Sequence, residues 1–419
     1  MRQIVAMTFT FILNFKRFPM TKLFSIFLAL LFVSTNSLAD APEPTLTTTV
    51  SPPMPYVIPS PPKLDAKAYL VVDFNSGAVL ASYNADDRIE PASLTKIMSG
   101  YVILSELKNG NMSLDDMVTI SPKAWKMPGS KMFIEVGQKV SVGNLIKGMV
   151  VQSGNDATVA LAEHVAGSES VFVEIMNKYA QMLGMTGTHF ANATGLPNPE
   201  HYSTATDLAK VAKALIQKFP EDYKWYDQKK FTFNGITQYN RNKLLWQDPS
   251  VDGLKTGHTE SAGYCLVSSA HRNGMRIVSV VVGTPSAAKR VSESQKLINY
   301  AFRFFETHKL YSADQRLHDA RVWEGKQNTV GLSLANDLYI TIPRGQYKNL
   351  KIETSIKSDI RAPIQKGQVL GDLHVSLNGK VVAERPLVAT SEIDEGSFFK
   401  KLIDQIKLLF QALLNFIGL

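Results

Sequence analysis

Runs with strand character stand at both ends of a long segment whose apolar residues fall at helical spacing, and this order restricts the folds open to the chain. Residues 69–73 are β-branched and apolar, Asn75-Ser76-Gly77 is a turn, and 78–83 resume the strand pattern, so a β-hairpin is predicted. Leu94, Ile97, Met98, Tyr101, Val102 and Leu104 then take the spacing of an amphipathic or buried helix over 94–107. Further helices are predicted over 141–150, 156–166, 169–183 and 205–217. Strand patterns return at 263–269 and 276–282 around His271-Arg272-Asn273-Gly274, and 289–306 reads as helix. Strand groups so far apart in sequence bury their apolar faces together in one antiparallel sheet. Helices pack on that sheet, and an all-helical subdomain lies between.

From about residue 311 the texture changes to short β segments at 329–334, 338–342, 350–356, 368–377 and 380–383, with Asn378-Gly379 as a hairpin turn. The expected organisation is an α+β domain over 64–308, a small all-β domain over 309–393, and a C-terminal amphipathic helix over 396–419. In that helix Lys400, Asp404, Lys407, Gln411 and Asn415 form a polar line, and Phe398, Phe399, Leu402, Ile403, Ile406, Leu409, Phe410, Leu413 and Leu414 fill the rest. A polar line on an apolar helix suits a helix lying in a membrane interface with that line toward water. Docking on the protein's own surface is the alternative.

The N-terminus reads as an export signal over 1–39: a basic start, an apolar run from Leu23 to Val33, and Ser37-Leu38-Ala39 before Asp40. Met20 is an alternative start, and an uncleaved anchor is the competing reading. Residues 40–63, dense in Pro, Ser and Thr, read as a linker. A lone cysteine, Cys265, rules out an intrachain disulfide and lies in an apolar run as a buried thiol. Export without disulfides fits a bacterial periplasm. The net charge of +8 contains no run of five or six basic residues, so nothing points to nucleic acid.

Chemistry enters at Ser93-Leu94-Thr95-Lys96, where the first helical pattern begins. A three-residue step puts Ser93 and Lys96 on one helix face, so the amine can take the hydroxyl proton. Lysine serves as a base only when burial or a neighbouring cation lowers its pKa. Ser153-Gly154-Asn155 offers a second hydroxyl and an amide, although the same residues suit an ordinary helix cap. Lys255-Thr256-Gly257, beginning a predicted edge strand before His258, offers positive charge and a hydroxyl to a carboxylate. Its glycine leaves room for a substrate backbone. No His, Cys or acidic cluster has zinc spacing, and no cofactor is implied.

Together these three ordered elements resemble the signatures of penicillin-binding proteins and class A β-lactamases. Residues 91–96, 129–133, 154–157, 194–197, 252–259 and 262–264 are similar to the low-molecular-mass D-alanyl-D-alanine carboxypeptidases, and the resemblance covers about 64–395. It implies the penicillin-binding protein/β-lactamase-like transpeptidase fold and removal of the terminal D-alanine from peptidoglycan stem peptides. It also implies covalent inhibition by β-lactams and a peripheral place on the periplasmic side of the inner membrane. By the same resemblance Ser93 is acylated, Lys96 is the base, and Ser153 and Asn155 complete the site. Lys255 and Thr256 then hold the substrate carboxylate with help from Arg276, Gly257 belongs to the same substrate-binding strand, and the backbone N–H groups of Ser93 and His258 form an oxyanion hole. A β-lactamase fits less well, because Asn155 follows Ser153-Gly154 where class A enzymes carry Asp in the middle. Residues 186–207, with His201, Ser203 and Asp207, are similar to the carboxypeptidase segment instead. An endopeptidase acting on crosslinks would use the same residues, and an inactive wall-binding scaffold is the non-enzymatic alternative.

Overall fold

The computed structural model describes residues 58–416, with side chains as far as residue 411. The export signal, the linker up to residue 57, Leu413 and Leu414 as apolar residues of the last helix, and Asn415 of its polar line lie outside the described side chains. The catalytic part runs β1 (Ala68–Asp73), β2 (Val79–Tyr83), a 3-10 turn (Ala92–Thr95), α1 (Lys96–Lys108), β3 (Met117–Thr119), α2 (Pro122–Lys126), β4 (Lys139–Ser141), α3 (Val142–Val151), α4 (Asn155–Ala166) and α5 (Glu169–Met182). It continues with α6 (Ala205–Lys218), β5 (Lys230–Phe233), β6 (Ile236–Tyr239), α7 (Leu244–Gln247), β7 (Val251–Thr259), β8 (Gly263–Arg272), β9 (Met275–Thr284) and α8 (Ala287–Phe304).

The main sheet has the order β2-β1-β9-β8-β7, antiparallel throughout, so the expected union of distant strand groups is what forms. All six residues of β1 are buried because the strand has neighbours on both edges and helices on both faces. One face packs against α8 through Leu266, Ile277, Val281, Leu297 and Ile298. The other packs against the helical subdomain through Leu254, Val267, Val278 and Val280. Within that layer α1 is buried on every side from Lys96 to Ser105. A lysine at its first position is therefore removed from water by the fold itself. Residues 58–63 do not all hang free as linker: Ile58 packs beside α8, and the Tyr300 hydroxyl donates to the Pro59 carbonyl.

The chain then forms β10 (Phe305–Tyr311), β11 (His318–Arg321), β12 (Thr329–Ser333), β13 (Leu338–Pro343), β14 (Leu350–Ile356), β15 (Val369–Leu377), β16 (Lys380–Ala389) and α9 (Phe398–Phe416). Five of these strands make a second sheet, β11-β12-β16-β15-β14, and β10 pairs with β13. The helix expected to reach residue 306 stops at Phe304, because pairing with β13 takes over at Phe305.

The C-terminal polar line does not face water as a whole, contrary to expectation. Asp404 is fully buried on the β domain, where it accepts from the Glu324 N–H at 2.9 Å and pairs with Lys400 and Arg321. The line carries the complement to those groups, so its first half docks. The opposite face is left open: Phe398, Phe399, Leu402, Ile403, Ile406, Leu409 and Phe410 are all exposed. Among the described residues no helix is long and apolar enough to cross a membrane.

Asp73 holds the two parts together. Its fully buried carboxylate accepts from Ser76 N–H and Oγ at 2.7 and 2.8 Å and from Thr307 Oγ1 at 2.7 Å. Thr341 Oγ1 joins the cluster at 2.6 Å from Ser76 Oγ and 2.8 Å from Thr307 Oγ1. Removing the acceptor takes away the shared partner of half-buried hydroxyls from both sides of the joint. Asp73→Ala is expected to lower stability by about 1–3 kcal/mol in urea unfolding; an unchanged midpoint would show that the cluster does not tie the parts together.

Candidate active site

Ser93 sits in the turn just ahead of α1, and Lys96 is the first residue of that helix. Lys96 Nζ lies 3.2 Å from Ser93 Oγ, 2.7 Å from Asn155 Oδ1 and 2.7 Å from the Thr194 carbonyl oxygen. Its pKa is pushed down to about 7, first by burial and then by the Arg241 charge, with Asp156 acting the other way. A neutral amine has two hydrogens and one lone pair. The two carbonyl oxygens take the hydrogens, which leaves the lone pair for the Ser93 hydroxyl.

The N-terminus of α4 supplies Asn155, whose amide nitrogen donates to the Pro128 carbonyl at 2.7 Å and is thereby oriented with its oxygen toward Lys96. Next to it Ser153 adopts a φ of +67°, and its buried hydroxyl has no partner among the described residues. Asp156 accepts from the N–H groups of Met132 and Phe133, fixing the loop that faces these residues.

Strand β7 closes the third side as an edge strand, starting at Val251 rather than at Lys255. A Cβ on Gly257 would come 3.1 Å from the Pro91 carbonyl and 3.3 Å from Ala92 Cβ, so glycine allows the strand to lie against the nucleophile turn. Lys255 is buried, with a pKa well below the ordinary range through burial and then the charges of Lys96, Arg241 and Arg290. His258 is exposed and lies against Tyr264, with ring centroids 4.0 Å apart and planes tilted by 32°.

A cavity of about 360 Å³ opens between these elements, lined by Ser93, Gly129, Ser130, Ser153, Arg241, Thr256, Gly257, His258 and Arg290. No carboxylate lines it among the described residues, while the Arg241 and Arg290 guanidiniums line it and the Lys255 amine lies buried beside them. The site is therefore built for an anion that lies beside a nucleophile.

Arg276, expected at the carboxylate, is elsewhere. It forms an ion pair with Asp252 at 2.7 Å, donates to Ser269 Oγ at 2.6 Å and lies over the rings of Phe74 and Tyr223. Those partners hold it outside the cavity, and Arg290 of α8 lines the cavity instead. Arg290 is buried, its Nε has no partner, and its nearest acceptors are the Gly257 and Arg241 carbonyls, both at a long 3.4 Å. A signal for it was present in the sequence: it sits seven residues before Leu297 on the apolar stripe of its helix, where a charge needs a reason. Arg241 follows the β6 strand in an irregular segment and carries no such pattern. Cys265 is fully buried with its thiol pKa pushed up to about 11 by burial, and it does not line the cavity.

Comparison with known proteins agrees with this geometry. The family model of D-alanyl-D-alanine carboxypeptidase matches residues 56–286, and that of the C-terminal domain of penicillin-binding protein 5 matches 305–395. D-alanyl-D-alanine carboxypeptidase DacA of Escherichia coli is 46% identical over 362 residues, covering 84% of this chain and 90% of that protein. DacF of Bacillus subtilis is 39% identical over 340 residues, covering 80% of this chain and 87% of that one. The crystal structure of penicillin binding protein 5 from Haemophilus influenzae superposes with a TM-score of 0.78 at 45% identity, over 80% of this chain and 99% of that one. On its catalytic fold, its C-terminal β domain and its similarity along most of its length, this chain belongs to the D-alanyl-D-alanine carboxypeptidase family of low-molecular-mass penicillin-binding proteins.

Proposed function

We propose that this serine-type D-Ala-D-Ala carboxypeptidase removes the terminal D-alanine of peptidoglycan stem peptides through an ester on Ser93. The carrying observation is Lys96, buried with both amine hydrogens engaged and its free valence 3.2 Å from Ser93 Oγ. As Oγ attacks the scissile carbonyl, Lys96 takes the hydroxyl proton. Backbone N–H groups of Ser93 and His258 receive the oxyanion. Collapse breaks the C–N bond, and the unpartnered Ser153 hydroxyl relays a proton to the departing amine. Water then attacks the ester with Lys96 again accepting a proton, and the shortened stem leaves as its carboxylate.

Lys255, Thr256, Arg290 and Arg241 hold the free carboxylate of the substrate, which relieves the mutual repulsion of the cations. In a β-lactam the broken C–N bond leaves the amine tethered to the acyl group, so the adduct persists beside the catalytic groups. A β-lactamase is disfavoured by the lack, among the described residues lining the cavity, of a carboxylate that could activate water. The enzyme works at the periplasmic face of the inner membrane. The exposed face of α9 enters the lipid interface while Asp404 keeps the helix on the β domain, and the β domain stands between membrane and cleft.

Acylation requires the free base of Lys96, so its rate should rise with pH through about 7 and level off above it. Lys96→Arg should be nearly as slow as Lys96→Ala, because arginine holds its proton. A flat pH profile in stopped-flow acylation, or a near-normal rate for the arginine variant, would remove Lys96 as the base.

Labelled penicillin should map to Ser93, and Ser93→Ala should abolish both the adduct and D-alanine release. Pentapeptides with a free terminal carboxylate should be preferred over amidated ones, and Arg290→Ala should erase most of that preference. Equal turnover of the two by the wild-type enzyme would point to an endopeptidase.

Ile406→Asp and Leu409→Asp should each weaken partition onto phosphatidylethanolamine/phosphatidylglycerol vesicles by at least about tenfold. A chain ending at Gly396 should be soluble and still acylated. Ending it at Thr390 would remove Ile393 from the β-domain core. Vesicle binding by the shortened chain would assign the anchor to another segment.

A further inference from the structure

The nucleophile hangs on one short turn, and its first residue, Ala92, adopts a φ of +47°. That is a left-handed conformation a non-glycine residue holds only when its surroundings impose it. Thr95 Oγ1 donates to the Ala92 carbonyl at 2.8 Å and so closes the turn on itself. The same oxygen lies 2.7 Å from Nε2 of His201, a buried residue that does not line the catalytic cavity.

The direction of this second bond follows from the other ring nitrogen. The Ala191 N–H points at His201 Nδ1 at 3.0 Å, and a backbone amide can only donate. Nδ1 is thus the unprotonated nitrogen, the proton of the neutral ring is on Nε2, and Nε2–H donates to Thr95. The Thr95 hydroxyl proton remains for Ala92. Every donor in the relay, from Ala191 through His201 and Thr95 to Ala92, has one acceptor.

A protonated ring would break the relay at Nδ1. Burial first, then the charges of His189 and Lys96, push the ring's pKa down to about 4, so the relay is intact wherever Lys96 is free base.

The segment that carries His201 also carries the Thr194 carbonyl that accepts from Lys96. It is paired with the strand-like residue Ile89, just ahead of the turn, by reciprocal bonds to Ser203 of 2.8 and 2.9 Å. Within the segment a Cβ on Gly195 would fall 1.7 Å from the Ala92 oxygen, so backbone meets backbone there. His201 is the side chain that joins the turn bearing Ser93 to the segment bearing one acceptor of Lys96.

We infer that His201 is a positioning residue for the acylation step, setting through Thr95 the approach of Ser93 Oγ to Lys96 Nζ. This rests on the acyl-enzyme reading above. A displacement of about 1 Å between reacting groups costs on the order of 10²-fold in rate. The effect therefore appears in the acylation rate constant and not in the binding of the inhibitor beforehand.

The test is stopped-flow acylation of the full chain by a labelled penicillin, separating the dissociation constant of the first complex from the acylation rate constant. Wild type that forms no adduct on Ser93 would sink the acyl-enzyme reading itself, before any variant is compared. Given that adduct, His201→Ala should slow acylation by about 10²-fold with the dissociation constant unchanged. His201→Gln, which keeps an N–H near the Nε2 position, should recover most of the loss. Thr95→Val should match His201→Ala, Thr95→Ser should stay near wild type, and the double variant His201→Ala/Thr95→Val should be no slower than either single change. Near-ultraviolet circular dichroism identifies the folded variants, and the Thr95 pair decides the matter if His201→Ala does not fold. Wild-type acylation by His201→Ala or Thr95→Val, losses that multiply in the double variant, or a loss confined to the dissociation constant would each overturn the inference.

Discussion

An amine buried at the start of a helix that is itself buried is the constraint around which the catalytic part is organised. Desolvation disfavours the charged form of Lys96, and the protein offers it two carbonyl oxygens and a hydroxyl rather than a carboxylate. A carboxylate in direct contact would hold the proton on the amine. Asp156, the one acid that raises its pKa, spends its oxygens on the N–H groups of Met132, Phe133 and Ala157. The base is thereby kept usable near neutrality. Its three partners come from the α1 turn, the start of α4 and the segment around residue 194, so the helical layer must assemble before the amine is poised.

The other half of the site has the opposite electrostatic character. Lys255, Arg241 and Arg290 are brought together with no acid lining the cavity among the described residues, an arrangement that costs free energy until an anion arrives. Binding of a carboxylate there is strengthened by the repulsion it relieves. The same cations lower the pKa of Lys96 through Arg241, so the substrate-binding side also tunes the base. Gly257 couples the halves physically, because its missing side chain lets β7 lie close against the turn that bears Ser93.

Much of this was legible in the sequence, and the parts that were not share a cause. Ser93, Lys96, Ser153, Asn155 and Lys255 to His258 are local motifs whose spacing is read directly, and the strand groups at 69–83 and 263–282 carry their own turn residues. Thr194 acts through its backbone carbonyl, which no residue type announces. Arg276 and Arg290 are both arginines near the same sheet, and only the pairing of Arg276 with Asp252 in three dimensions separates them. The β3–β4 pair and the β5–β6 hairpin have strands of three or four residues, too short for a period of two to stand out. Asp404 was visible as one member of a polar line, but a line of that kind suits water and a complementary protein surface equally.

Two buried carboxylates then explain how the C-terminal helix is tied to the rest of the chain. Asp73 ties the main sheet to Thr307 and Thr341 of the β10–β13 pair, and Asp404 ties α9 to Glu324 and Arg321 of the β domain. Each satisfies donors from both sides of its joint, and a bond of that kind is directional where an apolar contact is not. An apolar joint would let neighbouring parts slide over one another at small cost. A buried carboxylate with several donors fixes both distance and angle, since any slip leaves a charge or hydroxyl without a partner. With α9 in a lipid interface, as proposed above, its orientation would be passed through the β domain to the main sheet, and from β1 and β9 across the sheet to β7 at the edge of the catalytic cavity.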